Sequence, residues 1–163
     1  MARYSATIPT WTPTAVADTT AMTDGGHHTI QGVASTRCEL REVYMGGQAG
    51  ASSPSIMVLG RTSTVGATLT ALRMAAQEAH TNAPASLPTS YGASTTKPQR
   101  SATLGMLLNL SFNAFGGVVR WVNGPDEIIS SFGASASLGE LSLNAFTGGT
   151  PGLLGSTIVI DVT

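Results

Sequence analysis

Charge is what this chain lacks most. Among 163 residues there are 8 Lys or Arg and 9 Asp or Glu, 10% in all, where an ordinary soluble domain carries about a quarter. The net charge of −1 leaves little repulsion between free copies. The basic residues are scattered and matched by acids, which excludes the basic face that a nucleic-acid binder needs. There is one cysteine, Cys38, so a disulfide framework is excluded. No run approaches 18 apolar residues, so no membrane-spanning helix is expected. The opening Met1-Ala-Arg-Tyr-Ser-Ala-Thr-Ile-Pro9 lacks the apolar core of a secretion signal. With 19 Gly and 8 Pro, long helices are not expected to dominate.

Thr, Ser, Gly and Ala stand where charge would be, while the hydrophobic share of 42% is ordinary. A monomeric enzyme rarely has such a surface. A subunit covered by neighbours often does, because interface cores are depleted of charge. The length suits one domain with one core.

Residues 1–26 hold Pro9, Pro13 and many threonines, with Tyr4, Ile8 and Trp11 spaced along them. They read as an extended arm whose apolar residues meet a partner; packing along the parent domain is the alternative. From residue 27 to 163 strand signals recur. His28–Val33 is short. Arg37–Met45 begins by alternating, with Cys38 and Leu40 inward and Arg37, Glu39 and Arg41 outward, and Gly46-Gly47 is expected to end it. Ser55–Arg61 is a continuous apolar run behind Pro54, as in a strand buried on both faces. Thr103–Phe112, Val118–Val122, Glu127–Ser131, Ser137–Ala145 and Gly155–Val162 complete the set. Leu69–His80 is the one helix-like window, with Leu69, Leu72, Ala76 and Ala79 near helical spacing; a strand over Ala67–Leu72 is the alternative. Asn82–Arg100, with Pro84, Pro88 and Pro98, reads as a long central loop. Asn123-Gly124-Pro125-Asp126 is a turn in which Asn-Gly favours positive φ. Leu108–Gly117 echoes Leu141–Gly149, each running into Asn-Ala-Phe. Seven to nine short strands without βαβ alternation predict an all-β antiparallel sandwich, and the long connections favour a jelly-roll-like one.

Chemistry-bearing clusters are sparse. Asp24-Gly-Gly-His27-His28 resembles a metal cluster, but adjacent histidines in a strand point to opposite faces, so no metal site is expected. Asp126 and Glu127 are neighbours in a turn and do not face each other as a glycosidase pair must. No nucleophile elbow is present. Cys38 reads as a small buried hydrophobe. Trp121 reads as a core residue, with half of a sugar-stacking platform as the alternative. Neither a cofactor nor a catalytic residue is expected. The partner-binding candidates are Tyr4, Ile8, Trp11 and Tyr91.

A resemblance follows from the Thr/Pro arm ending at Gly25-Gly26, Leu40–Gly47 (Leu-Arg-Glu-Val-Tyr-Met-Gly-Gly), Ile56–Arg61, Phe115-Gly-Gly-Val-Val-Arg-Trp-Val122 and Gly148–Ser156. The chain resembles capsid decoration (cement) proteins of tailed bacteriophages. The resemblance implies a jelly-roll virion protein on the capsid exterior, assembled in the host cytoplasm. It implies an oligomer, commonly a trimer, that clamps the major capsid protein, with neither nucleic acid nor membrane as partner and no enzymatic activity. Removal of residues 2–20 is then expected to leave the sandwich folded. Two rivals are a single-jelly-roll protein that builds the shell itself and a tail-associated, glycan-binding module.

Overall fold

The computed structural model describes residues 2–12, 28–30, 36–62, 70–78, 88–90, 101, 103–104, 106–132, 141–147 and 152–163. These form twelve strands: β1 (Ala2–Trp11), β2 (His28–Ile30), β3 (Arg37–Gln48), β4 (Pro54–Arg61), β5 (Thr70–Ala71), β6 (Met74–Ala76), β7 (Pro88–Ser90), β8 (Met106–Asn113), β9 (Val118–Val122), β10 (Ser130–Phe132), β11 (Leu141–Thr147) and β12 (Leu153–Val162). All pairings are antiparallel. The first sheet runs β10-β3-β12-β1-β6, with β9 also on β3; the second runs β5-β7-β2-β11-β4-β8. One apolar core draws on both, so the two sheets form a β-sandwich.

Alternation explains which residues fill the core. In β1, Tyr4, Ala6 and Ile8 point inward, and a bulge at Pro9-Thr10 lets Trp11 point inward as well. Pro9 has no N–H to give the ladder, so a bulge suits it. In β3, Cys38 and Leu40 face the core, then Val43 and Met45. This change of phase falls at Arg41, the extra residue between the pairs Leu40–Ile160 and Glu42–Val159. Leu154, Ser156, Ile158 and Ile160 of β12 are buried beside them. Met57 and Leu59 of β4 and Leu141 and Leu143 of β11 close the core from the second sheet.

Of the expected arm of residues 1–26, Ala2–Trp11 are therefore not free, and residues 13–26 lie outside the described set. Ala2–Ile8 pair with Ser156–Val162 on one side, and Tyr4–Ala6 pair with Met74–Ala76 on the other. The apolar spacing that suggested partner contacts serves the chain's own core. The helix-like window differs too: its described part forms β5 and β6, because Leu72, Met74 and Ala76 alternate onto the core at a period of two. Gly46 and Gly47 do not end β3, which continues to Gln48. The apolar run of β4 is not covered on both faces throughout, since Ile56 is 42% exposed. Gly124 does not adopt positive φ. The turn is instead Gly124-Pro125-Asp126-Glu127, closed by the Glu127 N–H donating to the Gly124 carbonyl at 3.2 Å. Of the long central loop expected over Asn82–Arg100, Pro88–Ser90 is a strand, and residues 82–87 and 91–100 lie outside the described set. The two echoing segments contribute β8 and β11, which flank β4. Asn113 pairs with Pro54 and Asn144 with Val58, four residues apart, so the echo is not a structural repeat.

Candidate interaction surface

Seven of the chain's charged residues share the outer face of the first sheet and its β9 edge. Arg3 sits opposite Asp161 in the β1–β12 register and grips it with two bonds, Nε to Oδ1 at 2.8 Å and Nη2 to Oδ2 at 3.0 Å. Arg41 adds Nε to Oδ2 at 2.7 Å and also bonds Glu39, which Arg37 approaches at 3.3 Å. The Arg3 bond, helped by Arg41, holds the Asp161 carboxyl below the usual range although burial opposes it. Farther along, Glu42 accepts from the Tyr44 hydroxyl and from Arg120. Those two donors, Tyr44 first, lower its pKa. The Arg120 guanidinium lies 5.2 Å from the centre of the Tyr44 ring. The charges thus neutralise one another across β1, β12, β3 and β9.

The second sheet is the opposite. Among the described residues its six strands carry one charged side chain, Arg61, and that one donates across the sandwich to the Ser130 carbonyl at 2.9 Å. Its outermost described strand, β8, is Met-Leu-Leu-Asn-Leu-Ser-Phe-Asn. Leu108, Leu110 and Phe112 reach the core but remain half-buried, while Met106, Leu107, Asn109 and Ser111 are exposed.

A third feature lies where the chain crosses between sheets. The β3–β4 and β8–β9 connections both turn this corner and are bonded together. Ala49 N–H donates to the Ala114 carbonyl at 3.2 Å, and Ala114 N–H donates to the Ser53 carbonyl at 3.0 Å. Asn113 staples the pair: its Oδ1 accepts from the Ser53 and Phe115 N–H groups, both at 3.0 Å, and its Nδ2 donates to Ser52 Oγ at 2.9 Å. Gly47 is needed here, since a Cβ would lie 2.5 Å from that of Ala114. This rigid corner presents Phe115 at 60% exposure, with Val118 and Leu153 also exposed. Beside it is an open cleft of about 340 Å³ along β1, β3, β12 and β9, lined by Tyr44, Gly46, Val118, Leu153 and Gly155 among others. The Gly46–Gly155 pair leaves its floor bare of side chains.

The sequence candidates fall elsewhere. Tyr4, Ile8 and Trp11 are core residues and offer no surface to a partner in this fold; Tyr91 lies outside the described residues. Trp121 is half-buried against the core, so it is not an exposed platform. Cys38 is fully buried, which pushes its thiol up to about 11. His28 opens β2 inside the core, and burial pushes its pKa down to about 3. Asp24 and His27 are outside the described set. Among the described residues, no three His, Cys, Asp or Glu side chains could hold a metal ion together, and no helix is long and apolar enough to cross a membrane. Sequence reasoning missed Phe115, Val118 and Leu153. Their signal was faint: apolar residues within or beside glycine-rich turns. Comparison with protein-family models, curated proteins and solved structures found no match to this chain.

Proposed function

We propose that this chain is a structural subunit: a jelly-roll-like sandwich that associates with its own copies and with the major capsid protein of a viral shell, as a non-catalytic decoration protein on the virion exterior. One observation carries the reading. Among the described residues, the strands of one sheet hold a single charged side chain, Arg61, turned to a backbone carbonyl of the other sheet. A face left to water would alternate apolar with charged residues; Thr29, Val58 and Ser142 in the middle of this outer face are buried within the chain itself, so the part open to a partner is Ile56 with Asn109 and Ser111 of β8. The stapled corner adds exposed Phe115 and Val118 on a rigid base, the arrangement that suits a hot spot.

The test is mass measurement of the purified full chain, alone and mixed with shells of the virus it would coat. Stoichiometric addition to preformed shells supports the proposal. Closed particles from the pure chain favour the shell-building alternative, and a monomer that ignores shells ends the proposal. Phe115→Ser with Val118→Ser is expected to weaken shell binding by about tenfold or more while the melting temperature holds.

A further inference from the structure

The sheet edges are unequal. Among the described residues, the first sheet is bounded by β6, of three residues, and by β9 and β10, of five and three. The second is bounded by β5, of two residues, and by β8, of eight. Proteins protect edges by keeping strands short or by placing charge, proline or a bulge there. The short edges use length, and β9 also carries Arg120. β8 has neither charge nor proline, and its one bulge falls near its start, where Met106 pairs with Gly60. It is long, regularly paired with β4 from Leu108 to Asn113 and uncharged.

We propose that β8 pairs antiparallel with β8 of a second copy, about a two-fold axis through Leu110, joining two six-stranded sheets into one. The register follows from the two faces. Residues directly opposite in an antiparallel pair share a face. With Leu110 on the axis, Leu110 meets its own copy and Leu108 meets Phe112, so the half-buried core-side row is covered by an identical row. On the other face Asn109 meets Ser111, both exposed and polar. Centring the pair on Asn109 instead would set Leu107 against Ser111. The occupant is a second copy because β8 supplies both rows that β8 requires. An uncharged edge on a chain of net charge −1 also puts no repulsion between copies. The contact is isologous, so it builds even-numbered assemblies and not the trimer that the resemblance implied.

This inference deepens the assembly reading and rests on it. Its test is sedimentation of the full chain over a concentration series. The native chain is expected to show a dimer or a multiple of it. Asn109→Lys with Ser111→Lys sets two lysine pairs across the axis and is expected to weaken association by about tenfold. Asn109→Lys with Ser111→Glu sets Lys against Glu twice and is expected to restore it to within about threefold. Both positions are exposed, and melting curves check that each variant folds. An association indifferent to the lysine pair, or a Lys/Glu variant as weak as the Lys/Lys one, overturns the β8 register and leaves the assembly reading standing. A native chain that stays monomeric yet adds to shells overturns β8 pairing alone; one that stays monomeric and ignores shells overturns both.

Discussion

His28 of β2 and Ser156 of β12 meet inside the sandwich, Nδ1 to Oγ at 2.9 Å, and so join the two sheets by a side-chain hydrogen bond. The ring is 1% exposed and its Nε2 has no hydrogen-bond partner. Burial holds it neutral down to about pH 3, whereas the unfolded ring protonates near 6.5. Between those values the unfolded chain binds the extra proton. Stability is therefore full above about pH 6.5 and falls as pH drops, with a slope approaching about 1.4 kcal/mol per unit. Urea midpoints measured from pH 7.5 to 4 are expected to decline in the native protein and to decline less in His28→Asn. Ser156→Ala removes the ring's partner and is expected to cost about 1–3 kcal/mol at neutral pH.

Asp161 is the hub of the ionic face. Its side chain is 7% exposed and it serves both Arg3 and Arg41. Asp161→Asn is expected to cost about 1–3 kcal/mol, since the amide keeps one acceptor oxygen, loses the charge and sets an NH2 donor against a guanidinium. Arg3 is half-exposed and Arg41 remains, so Arg3→Ala is expected to cost under about 1 kcal/mol. Because the Asp161 carboxyl is held below its usual range, its contribution is present above the unfolded value near 4 and is lost as pH falls through the lower, folded value. Denaturant curves of both variants at pH 7 rank the two effects.

Two glycines three positions apart test the corner. A Cβ at Gly47 would fall 2.5 Å from Ala114 Cβ and 2.9 Å from its Cα, so Gly47→Ala pushes the two crossings apart. A loss of about 1–3 kcal/mol is expected. Gly50 has nothing within 4 Å of such a Cβ, and Gly50→Ala is expected to stay within about 0.5 kcal/mol. Equal melting temperatures for the two variants would refute the close packing described.

The first strand is expected to be essential to folding. Trp11→Ala empties a core position that is 7% exposed and is expected to cost about 3–5 kcal/mol. Deleting residues 2–20 removes Tyr4, Ala6, Ile8 and Trp11 together. That variant is expected to lose cooperative unfolding by near-ultraviolet circular dichroism, the reverse of what a free arm would give.

The class of fold was legible because β-strands write their faces into alternate residues. Ile158 and Ile160 against Thr157 and Asp161 identified β12, and Cys38 and Leu40 identified the start of β3. What alternation does not reveal is which strand lies beside which. Tyr4, Ile8 and Trp11 have the same spacing whether they meet a partner or their own core, and only the pairing of Ala2–Ile8 with β12 decides it. Bulges hide phase: Arg41 shifts β3 from even to odd inward positions, so alternation was visible at its start alone. The described part of the helix-like window, residues 70–78, shows that Ala, Leu and Met, good helix formers, yield to β6 when pairing with β1 is available. The exposed corner was not legible, since Phe115 faces solvent for a reason set by the crossing of two connections that are distant in sequence.

The last strand lies between the first and the third, with Ala2 beside Val162 and Gln48 beside Leu153. The middle of one sheet is thus closed by a strand more than 100 positions downstream of both its neighbours. Its pairing with β1 spans about 150 positions and its pairing with β3 more than 100, a topology of high contact order and slow folding.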